Sequence, residues 1–128
     1  MKVLHIDASP RTVRSVTRKL TSAFIGALRI KYPTLKVTHH DIGHHPPAFI
    51  SDAWLGAAFA PADHDDPAMK GVLHHSDELT TELIATDVLV IGSPMHNFTV
   101  SASLTAWIDQ VVRTDMTFKI TEAGVEPL

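Results

Sequence analysis

Two groups of residues in this 128-residue chain have the types and spacing to hold a ligand. The first is Ser9-Pro10-Arg11 followed by Ser15-Val16-Thr17, hydroxyls set between a short apolar run and an amphipathic stretch. Hydroxyls at the end of a strand, facing the amino end of a helix, make an anion site, because free amides and the helix dipole both favour a phosphate there. Helix capping is the commoner use of such residues, and Ser15 or Thr17 would serve it equally well. The second group is Pro94-Met95-His96-Asn97-Phe98, which follows the apolar run Val88 to Ile91 and Gly92-Ser93. A planar heteroaromatic ring fits along such a loop, its polar edge read by backbone N–H groups and its faces by Met95 and Phe98. Taken without the first group, the loop is an ordinary strand-to-helix connection.

The nine histidines invite a metal reading, with adjacent pairs at His39-His40, His44-His45 and His74-His75. Neighbours on a strand point to opposite faces and neighbours on a helix diverge, so such a pair rarely chelates as a unit. No metal site is expected, and Asp63-His64-Asp65-Asp66 reads as a solvated loop. Cysteine is absent, which excludes disulfides, thiolate metal sites and cysteine nucleophiles.

The elements that must position these residues follow from apolar periodicity. Lys2 to Asp7 reads as a buried strand, and Val16, Leu20, Ala23, Phe24, Ala27 and Leu28 form the apolar face of a helix ended by Tyr32-Pro33. Leu35 to His40 is a second strand. A short helix is expected over Ser51 to Phe59. Asp66-Pro67 then caps a helix with Met69, Val72, Leu73, Ser76, Leu79, Leu83 and Ile84 on one face. Val88 to Ile91 is short, β-branched and bounded by glycine and proline, the habit of a central strand buried on both faces. Leu104, Trp107, Ile108, Val111 and Val112 mark a last helix, with Asp109 and Arg113 spaced as an i,i+4 pair. Thr117 to Thr121 reads as a short extended piece ending at Ala123-Gly124. The alternation predicts one α/β domain over the whole chain, a doubly wound parallel sheet with right-handed crossovers, both ligand groups opening on one crevice. A unit of strand and helix takes about 30 residues, so a five-stranded sheet would need roughly 60 more. The sheet is therefore expected to be incomplete: the chain is a fragment, or another copy completes it.

Composition sets the outer bounds. With 45% hydrophobic and 20% charged residues the chain is globular, and a net charge of −3 without a lysine or arginine stripe argues against a nucleic-acid partner. No apolar run approaches the roughly 20 residues of a transmembrane helix. Asp7 arrives too early for a signal peptide, so no membrane partner and a cytoplasmic location are expected. Gly-x-Gly-x-x-Gly and Gly-x-x-x-x-Gly-Lys-Ser/Thr are both absent, which leaves a phosphate site built from hydroxyls and amides.

The segments Lys2 to Arg11, Ser15-Val16-Thr17, Gly92 to Phe98, Leu104 with Trp107-Ile108-Asp109, and Thr117-Phe118 together resemble the FMN-dependent NADH-azoreductase/quinone reductase family. The resemblance covers nearly the whole chain and implies a flavodoxin-like, three-layer α/β/α fold. It implies that Ser9, Ser15, Val16 and Thr17 hold the FMN phosphate. Pro94, Met95, His96, Asn97 and Phe98 would hold the ribityl chain and isoalloxazine ring, loop amides lying near N5. It further implies two-electron transfer from NADH through FMN to quinones and azo compounds by a ping-pong mechanism, in a homodimer, with no obligatory side-chain acid or base. His96 stands where many relatives have tyrosine, and Thr117-Phe118-Lys119-Ile120 departs from a Thr-Phe-x-Tyr pattern. Relatives continue with a fourth strand, a Ser-Arg-Gly-Gly type loop and a fifth strand, so the chain is expected to be the amino-terminal portion of that fold. Two alternatives stay open: an acyl-carrier-protein phosphodiesterase-type hydrolase, and a non-catalytic flavodoxin-like fragment.

Overall fold

A computed structural model describes residues 1–61 and 65–128; the expected loop residues Asp63 and His64 lie outside the described residues. Strand β1 (Lys2–Asp7) is the centre of a parallel sheet of order β2-β1-β3, with β2 (Lys36–His40) and β3 (Val88–Gly92) on either side. The chain steps from β1 outward to β2, then reverses across β1 to reach β3. Right-handed crossovers in opposite directions require helices on opposite faces. Helix α1 (Val16–Lys31) accordingly covers one face, while α2 (Asp52–Ala58), α3 (Pro67–Ile84) and α4 (Ala102–Val111) belong to the other.

The period-2 pleat gives β1 two different faces. Leu4, Ile6 and Ala8 enter one buried cluster with Ile42, Leu79, Leu104, Trp107 and Val111. Burying a large aliphatic side chain there stabilises by about 1.5–3 kcal/mol. Behind it α2 packs on α3 through Trp54, Ala57 and Leu73. Trp54 Nε1 donates to Gln110 Oε1 at 3.1 Å, and Gln110 Nε2 donates to Ala48 O at 2.8 Å, which fixes α2 against α4. On the other face His5 and Asp7 look toward α1, and Thr21 Oγ1 donates to Asp7 Oδ1 at 3.1 Å. A Cβ on Gly92 would lie 2.8 Å from Thr21 Cγ2, so glycine is what lets α1 approach β3.

Several expectations need correction. The α1 residues read as its apolar face are largely exposed: Val16, Leu20 and Phe24 point outward, and Thr21 and Ile25 are the buried positions. A single helix over a polar sheet face touches it by a narrow stripe, and residue hydropathy alone does not locate that stripe. In α3, Leu73, Ser76, Leu79 and Thr80 are buried while Val72 and Ile84 are exposed, a face turned by part of a helical step. β3 is the edge of the described sheet, and Leu89 and Ile91 are each 41% exposed, the open apolar edge expected of an incomplete sheet. Arg113 does not pair with Asp109; its Nη1 turns inward to Asp77 Oδ1 at 2.9 Å and Ser76 Oγ at 2.7 Å. An unexpected hairpin joins β4 (Met95–His96) to β5 (Thr99–Val100). The extended piece expected at Thr117 to Thr121 is β6 (Phe118–Thr121), which pairs with an unexpected β7 (Gly124–Pro127).

Arg18 joins α1 to the segment after β2. Its Nη1 donates to Asp41 Oδ2 at 2.9 Å, and its Nη2 donates to Asp41 Oδ1 and to Ser9 O. These hydrogen bonds, helped by His44, hold the Asp41 carboxyl well below the usual carboxylate range. A lowered native pKa gives stability that is fully present above the unfolded value near 4 and lost as pH falls below it. Thermal unfolding followed from pH 6 to pH 2 should therefore show a falling midpoint below about pH 4. Asp41→Asn should lower stability at pH 6 and flatten that acid limb; an equally steep limb in the variant would show that other groups set it.

Candidate functional site

The sheet ends are tied before the loops begin. Ala8 N–H donates to Gly92 O at 2.8 Å, one residue past the β1–β3 pairing, and Gly43 N–H donates to Asp7 O at 2.9 Å. The segments leaving β1 and β3 therefore start side by side. A Cβ on Gly43 would lie 2.1 Å from Ser9 O, so only glycine permits the chain after β2 to press against the Ala8-Ser9 backbone.

From there Ser9 Oγ accepts from Arg11 N–H at 3.2 Å, which leaves its own proton to donate elsewhere. Ser15 Oγ caps α1 by accepting from Arg18 N–H at 3.2 Å and lies 3.2 Å from Thr17 Oγ1. The capping role anticipated for Ser15 and a place beside an anion are thus compatible. Arg18 Nη2 donates to Ser9 O at 2.7 Å and pins the loop from behind.

These residues line a cavity of about 350 Å³ whose opposite wall is Pro94, Met95 and His96. Seven of the nine expected residues meet there: Ser9, Ser15, Val16, Thr17, Pro94, Met95 and His96. Asn97 lies in a neighbouring cavity of about 500 Å³, joined to the first by His96 and walled also by Phe49, Thr105, Ala106 and Asp109. Phe98 lines neither and is 95% exposed. Asn97 and Phe98 form the two-residue turn between β4 and β5, with φ of 49° and 62°. That is the backbone of a type I′ hairpin, for which asparagine then glycine is preferred; a bulky residue at the second position is strained.

Arg11 and Arg14 also line the first cavity; Arg11 stands in the first sequence group without a cofactor role assigned to it, and Arg14 is not singled out there. Their signal was available, two cations between the hydroxyls of Ser9 and Ser15. With both guanidiniums, a helix amino terminus and no carboxylate among the described lining residues, the cavity suits a dianionic phosphate. Gly43 was missed because its role depends on a contact from another strand end.

A model of the flavodoxin-like fold matches residues 1–128. The FMN-dependent NADH:quinone oxidoreductase of Thiobacillus denitrificans is 44% identical over 128 residues, covering 100% of this chain and 62% of that protein. The protein of the same name from Nostoc punctiforme is 38% identical with the same coverage. Among solved structures, an azoreductase from Bacillus anthracis superposes with a TM-score of 0.89 at 24% identity, over 100% of this chain and 63% of that one. An FMN-dependent NADH-azoreductase from Bacillus anthracis in complex with FMN gives a TM-score of 0.85 at 22% identity, over 99% and 62%. The chain thus spans a little under two thirds of the length of these relatives.

Two stability measurements check the local argument. Gly43→Ala should lose about 1–3 kcal/mol in urea unfolding, because the new methyl meets backbone that cannot move aside. Phe98→Gly should gain up to ~1 kcal/mol by relieving the left-handed strain. A neutral Gly43→Ala or a destabilising Phe98→Gly would contradict the contacts described.

Proposed function

The chain belongs to the flavodoxin-like fold family, and on that premise we propose that it is an FMN-dependent oxidoreductase moving two electrons from NADH to quinones or azo compounds by a ping-pong cycle. The observation that carries the reading is the single cavity joining the hydroxyls and arginines at the start of α1 to the Pro94-Met95-His96 wall. The names of the relatives, FMN-dependent NADH:quinone oxidoreductases and an azoreductase in complex with FMN, support the cofactor and the reaction class.

The donor set fits the group. Ser9, Ser15 and Thr17 with the first amides of α1 would take the phosphate, Arg11 and Arg14 neutralising its charge and Val16 contributing backbone. Pro94, Met95, His96 and Asn97 would line the ribityl chain and ring, and Phe98 offers an uncovered apolar face beside them. Bound FMN supplies the two-electron redox chemistry. The residues of this chain bind and orient it and shield one side from water; none of the nine site residues is assigned a proton. The hydrolase alternative needs a base near Ser9. Of the imidazoles near this loop, His44 has Nδ1 on Asp41 Oδ2 and Nε2 on Pro10 O, and His96, across the cavity, has no carboxylate among the described residues lining that cavity to orient it, which lends that reading no support.

Further parts of the proposal are a homodimer and a cytoplasmic enzyme without nucleic-acid or membrane partner. Exposed Phe49 beside the second cavity supports the first. For the second, no helix among the described residues is long and apolar enough to cross a membrane.

Flavin fluorescence quenching, with FMN and riboflavin titrated in parallel, tests the cofactor. Charge-assisted phosphate contacts are worth about 1.5–3 kcal/mol, so FMN should bind at least ~10-fold tighter than riboflavin. Arg14→Ala should erode that preference and leave riboflavin unchanged. Bleaching of the loaded chain by NADH, then recovery on adding a quinone, tests the reaction. Equal affinity for the two flavins, or none, would overturn the site; tight FMN binding without bleaching would leave a carrier instead of an enzyme.

A further inference from the structure

We propose that His5, Asp7 and His39 form a binding site for a divalent first-row metal ion of the zinc type, on the α1 face of the sheet. The site follows from strand geometry. Residues two apart on a strand share a face, so His5 and Asp7 point the same way. Parallel pairing then sets His39 of β2 directly opposite His5 of β1. The two imidazoles stack with centroids 4.5 Å apart and present their Nε2 atoms to the two oxygens of one carboxylate.

His39 Nε2 lies 3.0 Å from Asp7 Oδ2 and His5 Nε2 lies 3.4 Å from Asp7 Oδ1. Donor atoms of all three residues fall within 4.8 Å of one another. Tetrahedral zinc with ligands at about 2.0–2.1 Å separates its donors by roughly 3.3 Å. Each imidazole already stands near that distance from one oxygen of the Asp7 carboxylate, so a small turn of the carboxylate would bring a single oxygen to both. A separate observation points to a ligand. His5 is 7% exposed, and its Nε2 is buried without a hydrogen-bond partner among the described residues. A buried, unsatisfied ring nitrogen costs stability, and a metal ion would use its lone pair. Two imidazoles and a carboxylate are a donor set that first-row divalent ions accept.

The surroundings permit entry and orientation. The His39 side chain is 45% exposed, and the cluster borders a cavity of about 920 Å³ with room for a water ligand. Thr21 Oγ1 holds the Asp7 carboxylate in place at 3.1 Å. Arg18 Nη1, at 3.8 Å from Asp7 Oδ2, is the opposing charge, and Asp41 already binds its guanidinium in bidentate fashion. No lining residue is shared with the cavity of the proposed flavin site, so this inference stands apart from that reading. A bound ion would fasten the edge strand β2 to β1.

The test is titration of the chelator-treated full chain with Co²⁺, read by visible absorption, and with Zn²⁺, read by thermal unfolding and by the histidine ring resonances in NMR. The expected result is one strong equivalent per chain, a raised midpoint, and Zn²⁺-dependent shifts of the His5 and His39 rings. Losing even an outer partner of a metal ligand costs ~10–100-fold in affinity, so His39→Ala should cost at least that. His74→Ala, an exposed histidine on α3, should change nothing. Absence of saturable binding, ring shifts at other histidines in the unmodified chain, or an equal loss in His74→Ala would overturn the proposal.

Discussion

The hydrogen bond from Ala8 N–H to Gly92 O at 2.8 Å governs most of what this chain can do. It extends the β1–β3 ladder beyond the last paired residues, so two segments far apart in sequence leave the sheet from adjacent points and in the same direction. Strand order β2-β1-β3 adds the second half of the constraint, because the chain reverses direction across β1 and its helices diverge to opposite faces. Where they diverge, outside the carboxyl ends of the two strands, the described residues leave a crevice, and that crevice is the candidate site. Gly92 and Gly43 serve the same geometry from either side, one admitting α1 and the other admitting the chain after β2.

The two faces of β1 are held by different physics. Leu4 and Ile6 are locked by close packing against α3 and α4, where the driving force is loss of apolar surface from water. His5 and Asp7 face α1 across a polar network in which Asp7 meets Thr21, His39 and, at longer range, Arg18. Arg18 is its hub, since one guanidinium reaches Asp41, the Ser9 carbonyl and the vicinity of Asp7. The loop that carries Ser9 is therefore positioned electrostatically from behind while its hydroxyl side remains open. A polar face of this kind keeps α1 in register without burying the outward apolar residues Val16, Leu20 and Phe24.

Legibility in the sequence followed the range of the interactions involved. β1, the capping of α1 by Ser15, the proline stop after Tyr32, and the Asp66-Pro67 start of α3 are local devices, and each stands where composition and spacing place it. The meeting of Ser9 and Thr17 with Pro94 and His96 was legible because strand, loop and helix order fixes which strand ends are neighbours. Helix faces were less legible, since α1 is seated by Thr21, Ile25 and a glycine on another element. The apolar composition of β3 describes what the strand can bury, and its place at the edge of the described sheet fits the incomplete sheet that this composition implied. The histidine cluster is not legible in the adjacent pairs, because the geometry that converges is i,i+2 on one strand plus the residue across the ladder.

The turn at Asn97-Phe98 brings strain and exposure together at one point. A left-handed asparagine is ordinary, because its side chain tolerates that region; a left-handed phenylalanine costs about 1–2 kcal/mol. Phe98 recovers none of this through burial, since its ring stands in solvent. Glycine at the same position would satisfy the hairpin at lower cost, so neither folding nor packing within the described residues accounts for the ring. Residues kept in such conformations cluster at ligand clamps, and the physical inference runs from the observed strain to a function for it. An aromatic side chain held outward at the tip of a two-residue turn, next to Asn97 of the cavity that shares His96 with the proposed phosphate pocket, is consistent with the proposed role of covering a flat ligand. On the proposed reading, the strain would be a cost carried by the free chain and offset by contact between Phe98 and the bound ring.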